Sequence, residues 1–296
     1  MNGDSVTREA VTVTVVSAGL LTTIQDLGRP GHAHLGVPRS GALDRPAHRL
    51  ANRLVGNPAG AAALETTVLG CAVLVHRPVT VAVTGAPCAV RVDGRPAAWG
   101  APVRLPAGAR LDVGPATTGV RSYLAFAGGI ATDPVLGSRS TDLLSGLGPA
   151  PLSAGDSLPL GAPAGPPAGA DVLPWAAPPT RLVLPLVLGP RDDWFTAGAL
   201  GALARSVHHV STTSNRIGLR LDGPPLERAR EGELPSEGMV LGAVQVPPDG
   251  RPVVFLADHP TTGGYPVIGV VPVAALPAAA QATPGTAVRF APVRLR

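Results

Sequence analysis

The sequence predicts a mainly β protein built of sheets or barrels, on three observations. Short β-branched runs recur along the whole chain, and turn residues bound almost every one. Only one segment has a convincing helical period. A proline-rich stretch near the middle separates two halves that echo each other.

The strand runs are VTVTVV at 11–16, AVLV at 72–75, VTVAVTG at 79–85, RLVLPLVLG at 181–189, PVVFLAD at 252–258 and AVRF at 287–290. Branched side chains pack well on a pleated surface, and this spacing of turns argues against alternating βαβ units. The helix follows Asp44, where Ala47, Leu50, Ala51, Leu54 and Val55 return at helical spacing. Asp44 is suited to cap its first turn and Gly56 to stop its last. A shorter helix is expected to start within 191–195.

Residues 149–179 hold nine prolines in 31 positions, which cannot sustain a helix and would interrupt an internal strand. The later part, 162–180, reads as a linker between an N-terminal unit (1–161) and a C-terminal unit (181–296). Glu65-Thr-Thr-Val-Leu-Gly70 parallels Glu237-Gly-Met-Val-Leu-Gly242, and Arg77-Pro78-Val79 parallels Arg251-Pro252-Val253. Pro106 to Arg110 then parallels Pro284 to Val288 in the same order, which suggests an ancient duplication of one β unit.

With 296 residues, 45% hydrophobic and 15% charged, the chain can bury a sizeable core in one large or two modest domains. No apolar run approaches the roughly 18 residues of a membrane span. The opening MNGDSVTREA lacks the basic-then-apolar order of a secretory signal, so a cytoplasmic location is expected. All 24 residues of the Lys+Arg class are arginine. That excludes a Walker A lysine, a Schiff base and a biotinyl-lysine on this chain. The pI is near 10.0, but the formal charge is only +4. The arginines are spread over both halves and aromatics are 3%, which argues against a nucleic-acid partner. Cys71 and Cys88 sit in apolar segments without ligand spacing and read as buried free thiols; the histidines show no HExxH spacing. No structural metal is expected.

Two irregular runs carry the chemistry. Residues 22–44 (TTIQDLGRPGHAHLGVPRSGALD) crowd Gly28, Gly31, Gly36, Gly41 and two prolines among Asp26, Arg29, Ser40 and Asp44. Such a composition suits a rigid loop that aims polar side chains. Residues 236–266 lead from apolar pieces into Asp258, His259, Thr261, Thr262, Gly263, Gly264 and Tyr265. Arg29 and Arg216, in DLGRPG and SNRIG, offer planar forks for an anion or braces for their loops, with Asp26 placed to orient Arg29. Asp258 and His259 can serve as acid and base after a buried strand, or His259 can be a satisfied strand-end residue. The TTGGY run offers hydroxyls and N–H donors for an amide or carboxylate oxygen, or a tight turn.

Both runs, with SNRIGLRLDGP at 214–224 and GPRDDWF at 189–195, resemble the family called allophanate hydrolase subunit 2, or biotin-dependent carboxyltransferase-like. The resemblance extends over about 11–292 and includes the pattern SEGxxxGAxQ with Glu237 and Gln245. It implies two cyclophilin-like β-barrel subdomains with a few short helices. For function it implies one component of an ATP-dependent 5-oxoprolinase, a hydrolase of a cyclic amide that opens 5-oxoproline to L-glutamate and is inactive without its partners. Those would be the A subunit of that enzyme and its kinase-inhibitor-like B subunit, with ATP and Mg²⁺ as co-substrate and no biotin carried covalently on this chain. The same resemblance leaves two alternatives: the carboxyltransferase component of a biotin-dependent urea or amide carboxylase, and a non-catalytic antagonist of a histidine-kinase inhibitor. It implies Asp258 and His259 as catalytic candidates. Asp26, Arg29, Ser40, Asn215, Arg216, Glu237, Gln245, Thr261, Thr262, Gly263, Gly264 and Tyr265 would then contact substrate. Many relatives have lysine after Gly-Gly-Tyr-Pro, whereas Val267 stands here, so a role for that lysine does not transfer.

Overall fold

A computed structural model describes residues 11–168, 177–232 and 234–293. The mainly β expectation holds, and the expected strand runs all fall on strands. In the N-terminal half these are β1 (Val11–Ser17), β2 (Leu21–Gln25), β3 (Ala63–Thr67), β4 (Cys71–Val75), β5 (Val79–Gly85), β6 (Cys88–Val92), β7 (Arg95–Ala97), β8 (Val103–Leu105), β9 (Arg110–Ala116), β10 (Arg121–Phe126) and β11 (Ser157–Leu160). They pair as a six-stranded sheet, β11-β1-β4-β9-β6-β7, and a five-stranded sheet, β2-β3-β10-β5-β8. One core lies between them, with Val13, Val73 and Leu111 from the first sheet and Leu64, Val83 and Leu124 from the second. Cys71 and Cys88 are buried free thiols, and burial pushes the Cys71 thiol up to about 12.

Helix α1 (Arg45–Leu54) packs on β5 and β10. It begins where the sequence places it, because the Asp44 carboxylate accepts the Ala47 N–H at 3.1 Å and Pro46 needs no N–H partner in the first turn. Its buried face includes Ala47, Ala51 and Leu54, and Gly56 ends it at φ 78°.

The C-terminal half comprises β12 (Arg181–Leu188), α2 (Ala197–Arg205), β13 (His208–Val210), β14 (Gly218–Asp222), β15 (Glu237–Gly238), β16 (Ala243–Gln245), β17 (Val253–Phe255), β18 (Thr262–Gly263), β19 (Val267–Val270), α3 (Leu276–Ala280) and β20 (Ala287–Val293). Seven of these strands close a barrel in the order β12-β19-β16-β17-β14-β13-β20. The parallel pairing of β12 with β20, from Arg181↔Ala287 to Val187↔Val293, brings the ends of this half together. Along β12, Leu182, Leu184 and Leu186 point into the barrel while Arg181 and Val183 face out, which is the period-two pattern of a half-buried strand. The helix expected within 191–195 is a single 3₁₀ turn at Asp192–Trp194; the α-helix starts only after the Thr196 hydroxyl caps it by accepting the Ala199 N–H.

The echoed segments lead into strands in both halves: Val79 and Val253 open β5 and β17, while Arg110 and Ala287 open β9 and β20. Part of the proposed linker, 169–176, lies outside the described residues. The Ala168 N–H before it donates to the Leu54 carbonyl at 3.1 Å. Leu43 of the N-terminal half belongs to the core of the barrel half, so the loop after β2 reaches across the junction.

Candidate functional site

The junction between the halves is organised by a buried ionic network. β14 and β17 are antiparallel neighbours with Gly218 opposite Phe255, and the ladder continues as the Leu256 N–H donates to Ile217 O and the Asp258 N–H to Arg216 O. That register sets Arg216 beside Asp258. Arg216 Nε donates to Asp258 Oδ2 at 2.9 Å and Nη2 to Asp258 Oδ1 at 3.0 Å. Nη2 also donates to the Gly41 carbonyl at 2.8 Å, and Nη1 donates to Glu65 on β3. Arg216 and Glu65 are each 1% exposed and Asp258 is 0% exposed. Burial works to lower the arginine pKa, but Asp258 and Glu65 outweigh it and hold the guanidinium above the ordinary range.

Glu65 has its own support. Tyr123 lies opposite it in the β10–β3 register and donates its hydroxyl at 2.7 Å, while the Leu43 N–H donates at 3.0 Å. Burial pushes the Glu65 pKa up, and Arg216 and Arg121, with these donors, bring it below the ordinary carboxylate value. The Tyr123 oxygen in turn accepts the Asp44 N–H at 2.7 Å. Gln281 closes the circuit from the C-terminal half by donating to Asp44 at 2.9 Å and accepting the Val120 and Arg121 N–H groups, both at 2.9 Å. Arg216, Glu65, Asp258 and Asp44 therefore each meet an opposite charge or several hydrogen bonds, as burial requires.

The loop after β2 enters the network through its backbone. Ser40 has φ 53°, its N–H donates to Ala257 O at 3.0 Å, and its hydroxyl lies 2.8 Å from Asp258 Oδ1. Gly28 and Gly41, at φ 82° and 96°, pass so closely that a Cβ on Gly28 would sit 2.4 Å from the Arg39 carbonyl oxygen. Glycine is required there for both reasons. Asp26 does not pair with Arg29 as expected. Its Oδ1 accepts the Gly28 N–H at 2.7 Å and the Ser138 and Ser140 hydroxyls at 2.6 Å, and Oδ2 accepts the Arg139 N–H at 2.6 Å, so it ties two loops together.

Arg29 is 1% exposed and reaches the same second loop, donating from Nε to Val135 O at 3.3 Å and from Nη2 to Ser140 O. Its Nη1 and Asp142 Oδ2 are both buried without a hydrogen-bond partner. Burial lowers the Arg29 pKa, and Asp142, Asp26 and Asp258 oppose that. His259 stacks on Phe255 at 6.0 Å and 17°. Its Nδ1 donates to the Pro260 carbonyl at 2.7 Å, which assigns the neutral ring the Nδ1–H tautomer and leaves Nε2 as an acceptor. Burial lowers its pKa against the pull of Pro260 O, Asp258 and Asp142, so the ring is neutral at pH 7 and competent as a base.

The remaining candidates form a second group, joined to the first by the chain from Asp258 to Thr262. Glu237 and Gly238 of β15 pair with Gly263 and Thr262 of β18, and the Met239 N–H donates to Thr261 O at 2.8 Å. Gln245 donates to Tyr265 O at 3.2 Å, and the Arg228 guanidinium stands 6.0 Å from the Tyr265 ring. The Gly264 carbonyl accepts the Leu234 N–H at 3.0 Å. Glu237 forms an ion pair with Arg191, which lowers its pKa. Asn215 accepts the Ile217 and Gly218 N–H groups at 2.9 and 3.2 Å and so shapes the turn that delivers Arg216.

The geometry revises several assignments. Arg216 spends all three nitrogens within the protein and has no open edge for a substrate carboxylate; it braces the site. Asp26 and Asn215 likewise shape loops. Asp258 is enclosed by Arg216, Ser40 and the Leu143 N–H (3.1 Å), so its carboxylate oxygens are engaged within the protein. Thr262 is exposed, Thr261 and Tyr265 are half-buried, and His259 is buried at 6% exposure. Arg121, Tyr123, Asp142 and Gln281 join the network from outside the two irregular runs. Their signal is a charged or amide group inside an apolar run, as in VRSYLAF, since such a group must find a buried partner. Among the described residues no group of three or more His, Cys, Asp or Glu could hold a metal, and no helix is long and apolar enough to cross a membrane.

Comparison with known proteins agrees with this architecture. Residues 35–292 match the model of the carboxyltransferase domain, subdomain A and B. The chain is 42% identical to the C subunit of 5-oxoprolinase from Escherichia coli over 264 residues, 87% of this chain and 83% of that protein. It is 35% identical over 308 residues to the urea amidolyase of Lachancea kluyveri, covering 94% of this chain and 17% of that one. Among solved structures, TTHA0988 superposes with a TM-score of 0.86 at 38% identity over 96% of this chain, and the Kluyveromyces lactis urea amidolyase with 0.89 at 32% over 98%. The chain spans 56% of TTHA0988 and 19% of that urea amidolyase. By sequence and by fold, it belongs to the carboxyltransferase domain family, subdomain A and B.

Proposed function

We propose that this chain is the C component of an ATP-dependent 5-oxoprolinase, acting with the A and B components to open 5-oxoproline to L-glutamate. The observation that carries this reading is the 42% identity to the C subunit of 5-oxoprolinase across 83% of that protein's length. An amide carbonyl is a poor electrophile. Transfer of the γ-phosphoryl group of ATP to its oxygen, with Mg²⁺ and with the lactam N–H proton passing to a base, gives an O-phosphorylated imidate and ADP. Water then adds to the carbon, the ring C–N bond breaks with the nitrogen taking up protons, and a second water releases phosphate. The chain itself supplies positioning and a base. Nε2 of His259 accepts a proton as the lactam reacts, and Thr261, Thr262 and Tyr265 hold the lactam through hydroxyls and backbone. The carboxylates of Asp258 and Asp142 act on the His259 ring electrostatically. Without a lysine the chain has no P-loop, so it is expected to show no ATPase activity alone.

Carboxyl transfer to urea or another amide is the second reading, favoured by the 35% identity to urea amidolyase over 94% of this chain. The biotin would then arrive on another polypeptide. A third, non-catalytic reading keeps the same partner, with the chain binding a kinase inhibitor that resembles the B component. Substrate-dependent ADP release separates them. The chain combined with the A and B components should release ADP in response to 5-oxoproline and not to urea with bicarbonate and a biotinylated carrier. ADP release only in the second mixture would move the assignment to carboxyl transfer, and release in neither would favour the antagonist.

A further inference from the structure

We propose that the cleft between α1 and α3 is a binding site for a small aliphatic carboxylate, an anion with an apolar body. The assignment of this cleft does not depend on the reaction proposed above. The cleft encloses about 450 Å³, within the range of small-molecule sites. Leu241, Leu256, Val273 and Leu276 of the barrel half form one wall, and Ala42 and Leu43 part of the other. The charged residues among those lining it are both arginines, Arg45 and Arg49 of α1.

Arg45 is the unusual group. Its Nη2 is buried with no hydrogen-bond partner, and burial together with the nearby Arg39 and Arg49 pushes its pKa down to about 10. No described carboxylate compensates it. A guanidinium held this way is short of an acceptor and of a compensating negative charge, and a carboxylate supplies both. The apolar wall offers no side-chain hydroxyl or amide for a sugar or a peptide, so the rest of the ligand must be hydrocarbon. Leu256 and Ala257 run directly into Asp258, and Ala42 follows Gly41, whose carbonyl receives Arg216. An occupant therefore rests against the backbone that carries the network.

Calorimetric titration of the full chain with octanoate, kept below its micellar concentration, tests the assignment. Octanoate should bind the parent chain. Affinity should fall by about tenfold or more in Arg45→Gln, which removes the charge, and in Ala274→Phe, which fills the cleft from an exposed position. Octan-1-ol and acetate, each carrying half of the required chemistry, should bind the parent at least about tenfold more weakly. Thermal melts of both variants confirm that they fold. Absence of octanoate binding to the parent overturns the proposal, as does equal binding by folded variants or octan-1-ol binding as tightly as octanoate.

Discussion

Arg216, two residues before β14, donates to Glu65 on β3, so one buried guanidinium joins the barrel half to the two-sheet half. The same side chain holds Asp258, directly before the candidate base His259. Stability and site geometry are thereby coupled through one residue.

Truncating Arg216 to alanine leaves buried Asp258 without its cation and Glu65 with Arg121 alone, 3.7 Å away. Breaking such a pair costs about 3–5 kcal/mol, so urea unfolding of Arg216→Ala should show a loss of that order. A change below about 1 kcal/mol would mean that the network carries little of the stability.

Gly28→Ala should also destabilise, by more than about 1 kcal/mol. The new methyl meets the Arg39 and Ser40 carbonyl oxygens at 2.4 and 2.5 Å on a backbone at φ +82°. Gly31→Ala, at φ +94° but with nothing within 4 Å of its Cβ, isolates the conformational part of that cost. Equal losses in the two variants would remove the steric argument.

Buried imidazoles set the acid side of the stability profile. Burial lowers the His48 pKa, against the pull of Gln25 O and Glu65, so the unfolded chain binds this proton more readily than the native one. Stability should therefore be flat above the ordinary histidine value near 6.5 and decline as pH falls below it. Glu65, whose native pKa is also depressed, extends the decline below the ordinary carboxylate range. Urea midpoints from pH 8 to pH 4 check this, and a profile that rises on acidification would contradict it.

His259→Asn in the assembled complex should lower turnover by about 10² or more, the usual contribution of a positioned base. Because burial lowers the His259 pKa, the parent enzyme should keep its kcat/KM below pH 6.5, where an ordinary histidine would already be protonated. Unchanged turnover in a correctly folded variant would leave His259 with a structural role.

Much of this fold was legible because it is locally encoded. Branched runs announce β1, β4, β5, β12, β17 and β20, and Asp44 with Gly56 brackets α1. The glycines of residues 22–44 mark a loop in which Gly28 and Gly41 do need positive φ. Pairing order was not legible. The N-terminal strands divide between two sheets and only the C-terminal strands close a barrel, a difference set by registers such as β12 with β20 across about a hundred residues. The site shows the same limit. SNRIG and ADHPTTGGYP stand out by composition, but the burial of Arg216 depends on Glu65, 151 residues away, and no local pattern links them. Arginine chemistry suggested a ligand clamp, and the folded chain uses that fork on its own carboxylates.

The most direct measurement is glutamate formation from 5-oxoproline and ATP by the A and B components, with and without this chain. Glutamate and ADP are expected in equal amounts only when the chain is present, with little product when it is replaced by His259→Asn. Product formed at the same rate without the chain would contradict its place in the reaction.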